Sequence, residues 1–202
     1  MKSYAFLLLL IVNISVASGV KTLVPIGQHY EVFRLEKSEN PQNILVVYTR
    51  LDDNCLFELN PENSNVPVFG FYWLMDRKNY KPVHPLIRRG ISKRLQVETP
   101  STFPQERNNF TVLVKDLTKV DRTLENAYVK VSSRKDGKSC VVKSSFDTLG
   151  ESKLASALTL DKIYAESEIT FLPPFRKVIM LKIQGQNEKT GLPEEKIFQE
   201  KK

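Results

Sequence analysis

Few residues in this chain can do chemistry, and their spacing restricts what that chemistry is. There are two histidines, His29 and His84, and two cysteines, Cys55 and Cys140. A cysteine nucleophile needs a base to make thiolate, and only those two imidazoles are on offer. A structural zinc usually takes four His, Cys or carboxylate ligands and a catalytic zinc three, so two distant histidines argue against a metal centre. Asp52-Asp53, beside Cys55, is a carboxylate pair that suits either acid–base work or a solvated turn. His84 lies between Val83 and Pro85, where the chain is held extended, and reads as a ligand-facing group or a loop residue. The P-loop, G-x-S-x-G and H-E-x-x-H signatures do not occur. A hydrolase-type enzyme built on His84 and carboxylates is therefore the alternative reading. The leading reading is a binding or interaction module without catalytic residues, cofactor or metal.

The strongest lead is a charge pattern. An apolar run, Val68-Phe69-Gly70-Phe71-Tyr72-Trp73-Leu74-Met75, is followed after Asp76 by Arg77, Lys78, Lys81, Arg88, Arg89, Lys93 and Arg94, with no acidic residue until Glu98. The formal charge of the whole chain is only +7. Ile87, Ile91 and Leu95 recur every four residues, which predicts a helix over 88–97 with an apolar stripe flanked by cations. Such a surface suits an anionic partner: phospholipid, lipopolysaccharide or an acidic glycan. A merely solvated charged face is the competing account. Nucleic acid would want exposed aromatics beside the cations, whereas these aromatics precede them in a strand that reads as buried.

The compartment follows from residues 1–19. Lys2 precedes an apolar stretch from Tyr4 to Val12, and Ser15-Val16-Ala17-Ser18-Gly19 supplies small residues for cleavage. This is a secretory signal peptide, and its apolar core is shorter than the roughly 20 residues of a spanning helix. No later stretch is apolar enough to span a bilayer as a helix. In an oxidising compartment an even cysteine count predicts a Cys55–Cys140 disulfide. The expected location is the periplasm or outside the cell.

The elements that must position these groups are mostly strands. Alternating or continuous apolar runs predict strands near 30–35, 44–49, 68–75, 110–114, 127–132, 139–143, 158–160, 169–172 and 177–183. Asp136-Gly137 between two alternating runs signals a hairpin. Residues 60–65 (Asn-Pro-Glu-Asn-Ser-Asn) read as a loop, and 117–126 and 150–157 as short helical turns. Residues 20–202 fit one all-β domain of roughly 8–10 strands with one or two short helices and a polar C-terminal tail. An antiparallel sandwich and a closed barrel both satisfy the pattern, the barrel allowing an enclosed apolar ligand.

One resemblance adds to this. Phe71-Tyr72-Trp73-Leu74-Met75 followed by Pro85-Leu86-Ile87-Arg88-Arg89-Gly90 resembles a group of exported bacterial domains of unknown function (DUF4833-like). In that group a Tyr-Trp strand precedes a Pro-Leu turn and a charged segment. Asn43-Ile44-Leu45-Val46-Val47-Tyr48 is similar to the group's early strand. Lys182-Ile183-Gln184-Gly185, Thr190-Gly191 and Glu195-Lys196-Ile197 are similar to its closing strand and tail. Arg88-Arg89 departs from the group, where an acidic residue often precedes the arginine. The resemblance implies a single exported domain of a Gram-negative envelope, and no activity comes with it.

Overall fold

The computed structural model describes residues 29–37, 43–76, 79–115, 120, 127–148, 158–169 and 176–199. The expected signal segment, Arg77, Lys78 and nearly all of the two expected helical turns lie outside the described residues. The order is β1 (His29–Lys37), β2 (Asn43–Arg50), β3 (Leu59–Asn60), β4 (Asn63–Pro67), β5 (Phe69–Met75), β6 (Asn79–Pro82), α1 (Pro85–Arg94), β7 (Leu95–Glu98), β8 (Asn109–Val114), β9 (Ala127–Asp136), β10 (Ser139–Thr148), β11 (Leu158–Ile169), β12 (Arg176–Asn187) and β13 (Pro193–Gln199).

Local sequence explains the clearest pieces. In β9, Ala127, Val129 and Val131 are buried while Lys130 is exposed, the period-two pattern of a sheet with one wet face. The β9–β10 register runs unbroken from Ala127↔Thr148 to Asp136↔Ser139. Its two-residue loop is Gly137-Lys138, and Gly137 adopts φ +59°, which a glycine tolerates at a tight hairpin.

The strands form one eleven-stranded sheet plus the small β3–β4 hairpin. Its main path is β6-β5-β2-β1-β11-β10-β9-β8-β7, with β12 on β11 and β13 on β12. The sheet divides at β11. β12 pairs along that strand from Leu158↔Asn187 to Ile169↔Arg176, so the other edge is shared. Its first part takes β10 antiparallel (Phe146↔Leu158) and its second takes β1 parallel (Arg34↔Lys162 to Lys37↔Ala165). Two wings leave this edge, β1-β2-β5-β6 and β10-β9-β8-β7, and close on a common core. Val47 and Phe71 from one wing join Val112, Val129 and Phe146 from the other. Phe69 of β5 meets Phe110 of β8 edge-on at 6.2 Å. The Ser144 hydroxyl donates to the Val32 carbonyl at 2.6 Å, and the Cys55–Cys140 disulfide ties the loop after β2 to β10.

This is a sandwich. β6, β7 and β13 each pair on one side only among the described residues, so the closed-barrel alternative falls. An apolar ligand enclosed by such a barrel loses its premise. Thirteen strands occur among the described residues where roughly 8–10 were expected, because short pairings carry little periodicity. The stretch read as a loop at 60–65 is the tight β3–β4 hairpin, paired at Asn60↔Asn63. The polar segment read as a tail contains β13, which lays Phe198 on the core. The helix runs Pro85–Arg94, not 88–97. His84 caps its start and proline occupies its first turn, where a missing N–H loses nothing. It stops at Arg94 because Leu95 and Val97 pair with Val114 and Val112 of β8.

Candidate functional site

The helix α1 links β6 to β7, which end the two opposite wings, so it crosses the open side of the sandwich. No residue of α1 is fully buried. Ile91 is its half-buried anchor on the core, followed by Leu95 of β7. Its N-terminus is held by the His84 imidazole, whose Nδ1 accepts the Leu86 N–H at 3.3 Å. Its C-terminus is held by the Lys115 N–H, which donates to the Arg94 carbonyl at 2.7 Å. Lys93 and Arg94 occupy the last turn, where cations offset the negative end of the helix dipole.

Helical spacing divides the expected basic surface. Residues three and seven apart share a face, since a turn takes 3.6 residues. Leu86, Arg89 and Lys93 therefore line the side away from the Ile87–Ile91 pair that contains the anchor. Leu86 is 75% exposed and Ile87 48%. Arg88 lies to one flank, close enough to Tyr48 for its charge to favour the ionised hydroxyl. Lys81 is exposed on β6, opposite Trp73 in register. Lys37 reaches over that indole at 5.5 Å. Trp73 is half-buried against the core, not enclosed as its apolar run implied. Lys81, Arg88, Arg89, Lys93 and Arg94 thus gather on the β6–α1 stretch.

A second constellation escaped the sequence reading. On the face of β1, β2 and β5 turned away from the main core, where Ile44, Val46 and Leu74 form a second buried cluster, the Tyr48 ring stacks on Tyr72 at 4.6 Å and 18°, with His29 tilted against it at 4.3 Å. The Tyr72 hydroxyl and His29 Nδ1 are 3.1 Å apart. Burial, then the neighbouring Tyr72, raises the Tyr48 hydroxyl above its usual range, with Arg88 and Arg50 opposing. Burial, then the Arg50 charge, lowers His29, with Glu58 opposing. Arg50 pairs with Glu58 at 3.0 Å. On the same face the buried carboxylate of Glu31 is gripped by Arg34 through Nε at 2.6 Å and Nη2 at 2.8 Å. The sequence signal was Gly70, a glycine inside an apolar strand, which marks a close approach. It stands opposite Tyr48, and a Cβ there would fall 2.5 Å from that ring.

The groups of the enzyme alternative have structural tasks. His84 is the helix cap. Asp52 Oδ1 accepts the N–H groups of Asn54 and Leu56, and Oδ2 accepts from Arg107 Nη2 at 2.9 Å. This closes the loop that holds Cys55 at φ +64°. Asp53 is exposed in that loop. Among the described residues no group of three or more His, Cys, Asp or Glu is placed to hold a metal ion. No helix among them is long and apolar enough to cross a membrane. No protein-family model, curated protein or solved structure matches the chain.

Proposed function

We propose that this protein is an exported binding module of a bacterial cell envelope, periplasmic or secreted, that uses the α1 surface to engage an anionic partner. The observation that carries the reading is the exposure of α1: a helix fastened at both ends, without a fully buried residue, and presenting Arg88, Arg89, Lys93 and Arg94. The signal segment, the disulfide and the resemblance to exported bacterial domains support the address. The tasks of His84 and Asp52 support a role without catalysis. The test replaces Arg88, Arg89, Lys93 and Arg94 together by Gln. Binding to anionic phospholipid vesicles, lipopolysaccharide or a soluble acidic polysaccharide should weaken, and the wild-type affinity should fall as salt rises. Equal binding by variant and wild type to all three removes the helix from the function.

A further inference from the structure

We infer, resting on the reading above, that the anionic partner is a phospholipid bilayer, and that Leu86 enters the acyl boundary while Arg89 and Lys93 hold the phosphates. The outward side of α1 carries an apolar knob in its first turn followed by two cations on the same side, Leu86 and then Arg89 and Lys93 three and seven residues on. Leu86 is the most exposed large hydrophobic residue among the described residues. From Arg77 to Val97 there is no acidic side chain to repel a headgroup. A hydrated polyanion gains from the cations alone and gives an exposed leucine nothing in return. A bilayer interface rewards both, because it is anionic above and apolar below. The long stems of Arg and Lys let their charges stay with the phosphates while an apolar neighbour goes deeper. The helix is already folded and tethered, so binding does not bear the ordering penalty of a free amphipathic peptide. Arg88, which helical spacing sets off the Leu86–Arg89–Lys93 side, is secondary in this arrangement.

Each cation close to an acidic membrane contributes about 1 kcal/mol. At about 1.4 kcal/mol per tenfold, Arg89→Gln with Lys93→Gln should therefore weaken partitioning about 30-fold. Arg88→Gln alone should change it by less than about fivefold. Leu86→Ser removes the inserted side chain and should lose at least about tenfold. The side chain is exposed, so the fold is not at stake.

The experiment uses the full exported chain with its disulfide intact. Sedimentation with phosphatidylglycerol–phosphatidylcholine vesicles is set beside phosphatidylcholine vesicles, lipopolysaccharide and a soluble acidic polysaccharide. A second readout places the only tryptophan at the knob, Leu86→Trp with Trp73→Phe; its emission should move to the blue on anionic vesicles and be quenched by brominated acyl chains. Weaker vesicle binding by Leu86→Ser, with polysaccharide binding unchanged, supports insertion. Unchanged vesicle binding by Leu86→Ser, or an unmoved emission, overturns it. If the fourfold Gln variant still loses anion binding in that case, the anionic-surface reading survives without insertion. If the wild type binds the polysaccharide or lipopolysaccharide but no vesicle, the bilayer is the wrong partner. If it binds none of them, both readings fail.

Discussion

Three glycine-to-alanine changes should shift stability by different amounts and in opposite directions, for reasons visible in their surroundings. A Cβ at Gly185 would lie 2.1 Å from the Thr159 carbonyl oxygen, where real Cβ atoms essentially never come within 3.0 Å. The obstacle is backbone, and its strand cannot withdraw: β11 is paired to β12 on one edge and to β10 and β1 on the other. Overpacking alone costs about 1–3 kcal/mol. Driving β11 and β12 apart by about 1 Å also weakens one or two ladder hydrogen bonds, each worth about 1 kcal/mol. Gly185→Ala should thus remove about 4 kcal/mol, much of a domain's 5–15 kcal/mol, and lower Tm by about 10 °C. At Gly70 the obstacle is the far end of the Tyr48 side chain, which can swing at the expense of its stack on Tyr72, so Gly70→Ala should cost about 1 kcal/mol. At Gly90 nothing lies within 4 Å, and alanine is the better helix former, so Gly90→Ala should add about 1 kcal/mol. Urea midpoints compared at constant slope read all three. A wild-type midpoint for Gly185→Ala, or a larger loss at Gly70 than at Gly185, would refute the reasoning from strand proximity.

Three further perturbations follow. Cys55 and Cys140 are 85 residues apart, so replacing both by Ser should cost about 4.5 kcal/mol by the chain-entropy estimate; a double variant as stable as the oxidised protein would remove the disulfide from the list of supports. His29 has a folded-state value below its unfolded value of about 6.5. The unfolded chain therefore binds the proton more readily, and stability, full above that value, should decline as pH falls through the window beneath it. His29→Gln should flatten the melting temperature across that window, and an unaltered slope would clear His29 of the effect. Trp73→Ala should cost about 2 kcal/mol rather than the 3–5 of an enclosed indole, since the ring is half-buried with Lys37 over it; a urea-measured loss above about 4 kcal/mol would contradict that partial burial.

What the sequence revealed depended on how local the cause was. The Asp136-Gly137 hairpin, the strand at 44–49 and the cysteine pairing rest on neighbouring residues or on compartment, and each is found in the fold. The helix was legible but displaced by three residues. Its start is set by His84 and Pro85, a cap and a first-turn proline, yet the apolar spacing drew the boundary downstream. Its end is set by the pairing of Leu95 with Val114, a contact with the neighbouring strand of the same wing, further along the chain. β3, β6 and β7 are too short to show a period, and their partners alone make them strands. The same limit hid the His29–Tyr48–Tyr72 cluster. Those rings meet only once the β1, β2 and β5 registers are known, and Gly70 was its one local mark. The basic run was legible as charge, whereas the grouping of Arg89 and Lys93 with Leu86 on one side of α1, and of Arg88 off it, required the true start of the helix.

The shared edge of β11 has a consequence for the order in which the chain can fold. Synthesis delivers β1 first, but the ion pair of Glu36 with Lys162 joins residues 126 positions apart, and the parallel β1–β11 ladder lies beside it. Until β11 has been made, β1 has β2 on one side and a bare row of N–H and C=O groups on the other. The β10 end of the second wing waits for the same strand. The two wings therefore cannot join into one sheet while most of the polypeptide is still unmade. Long-range parallel pairing is slow, and an exposed strand edge invites the wrong partner. The sheet should therefore be completed only late, once β11 is available to take β1 and β10 along its one shared edge.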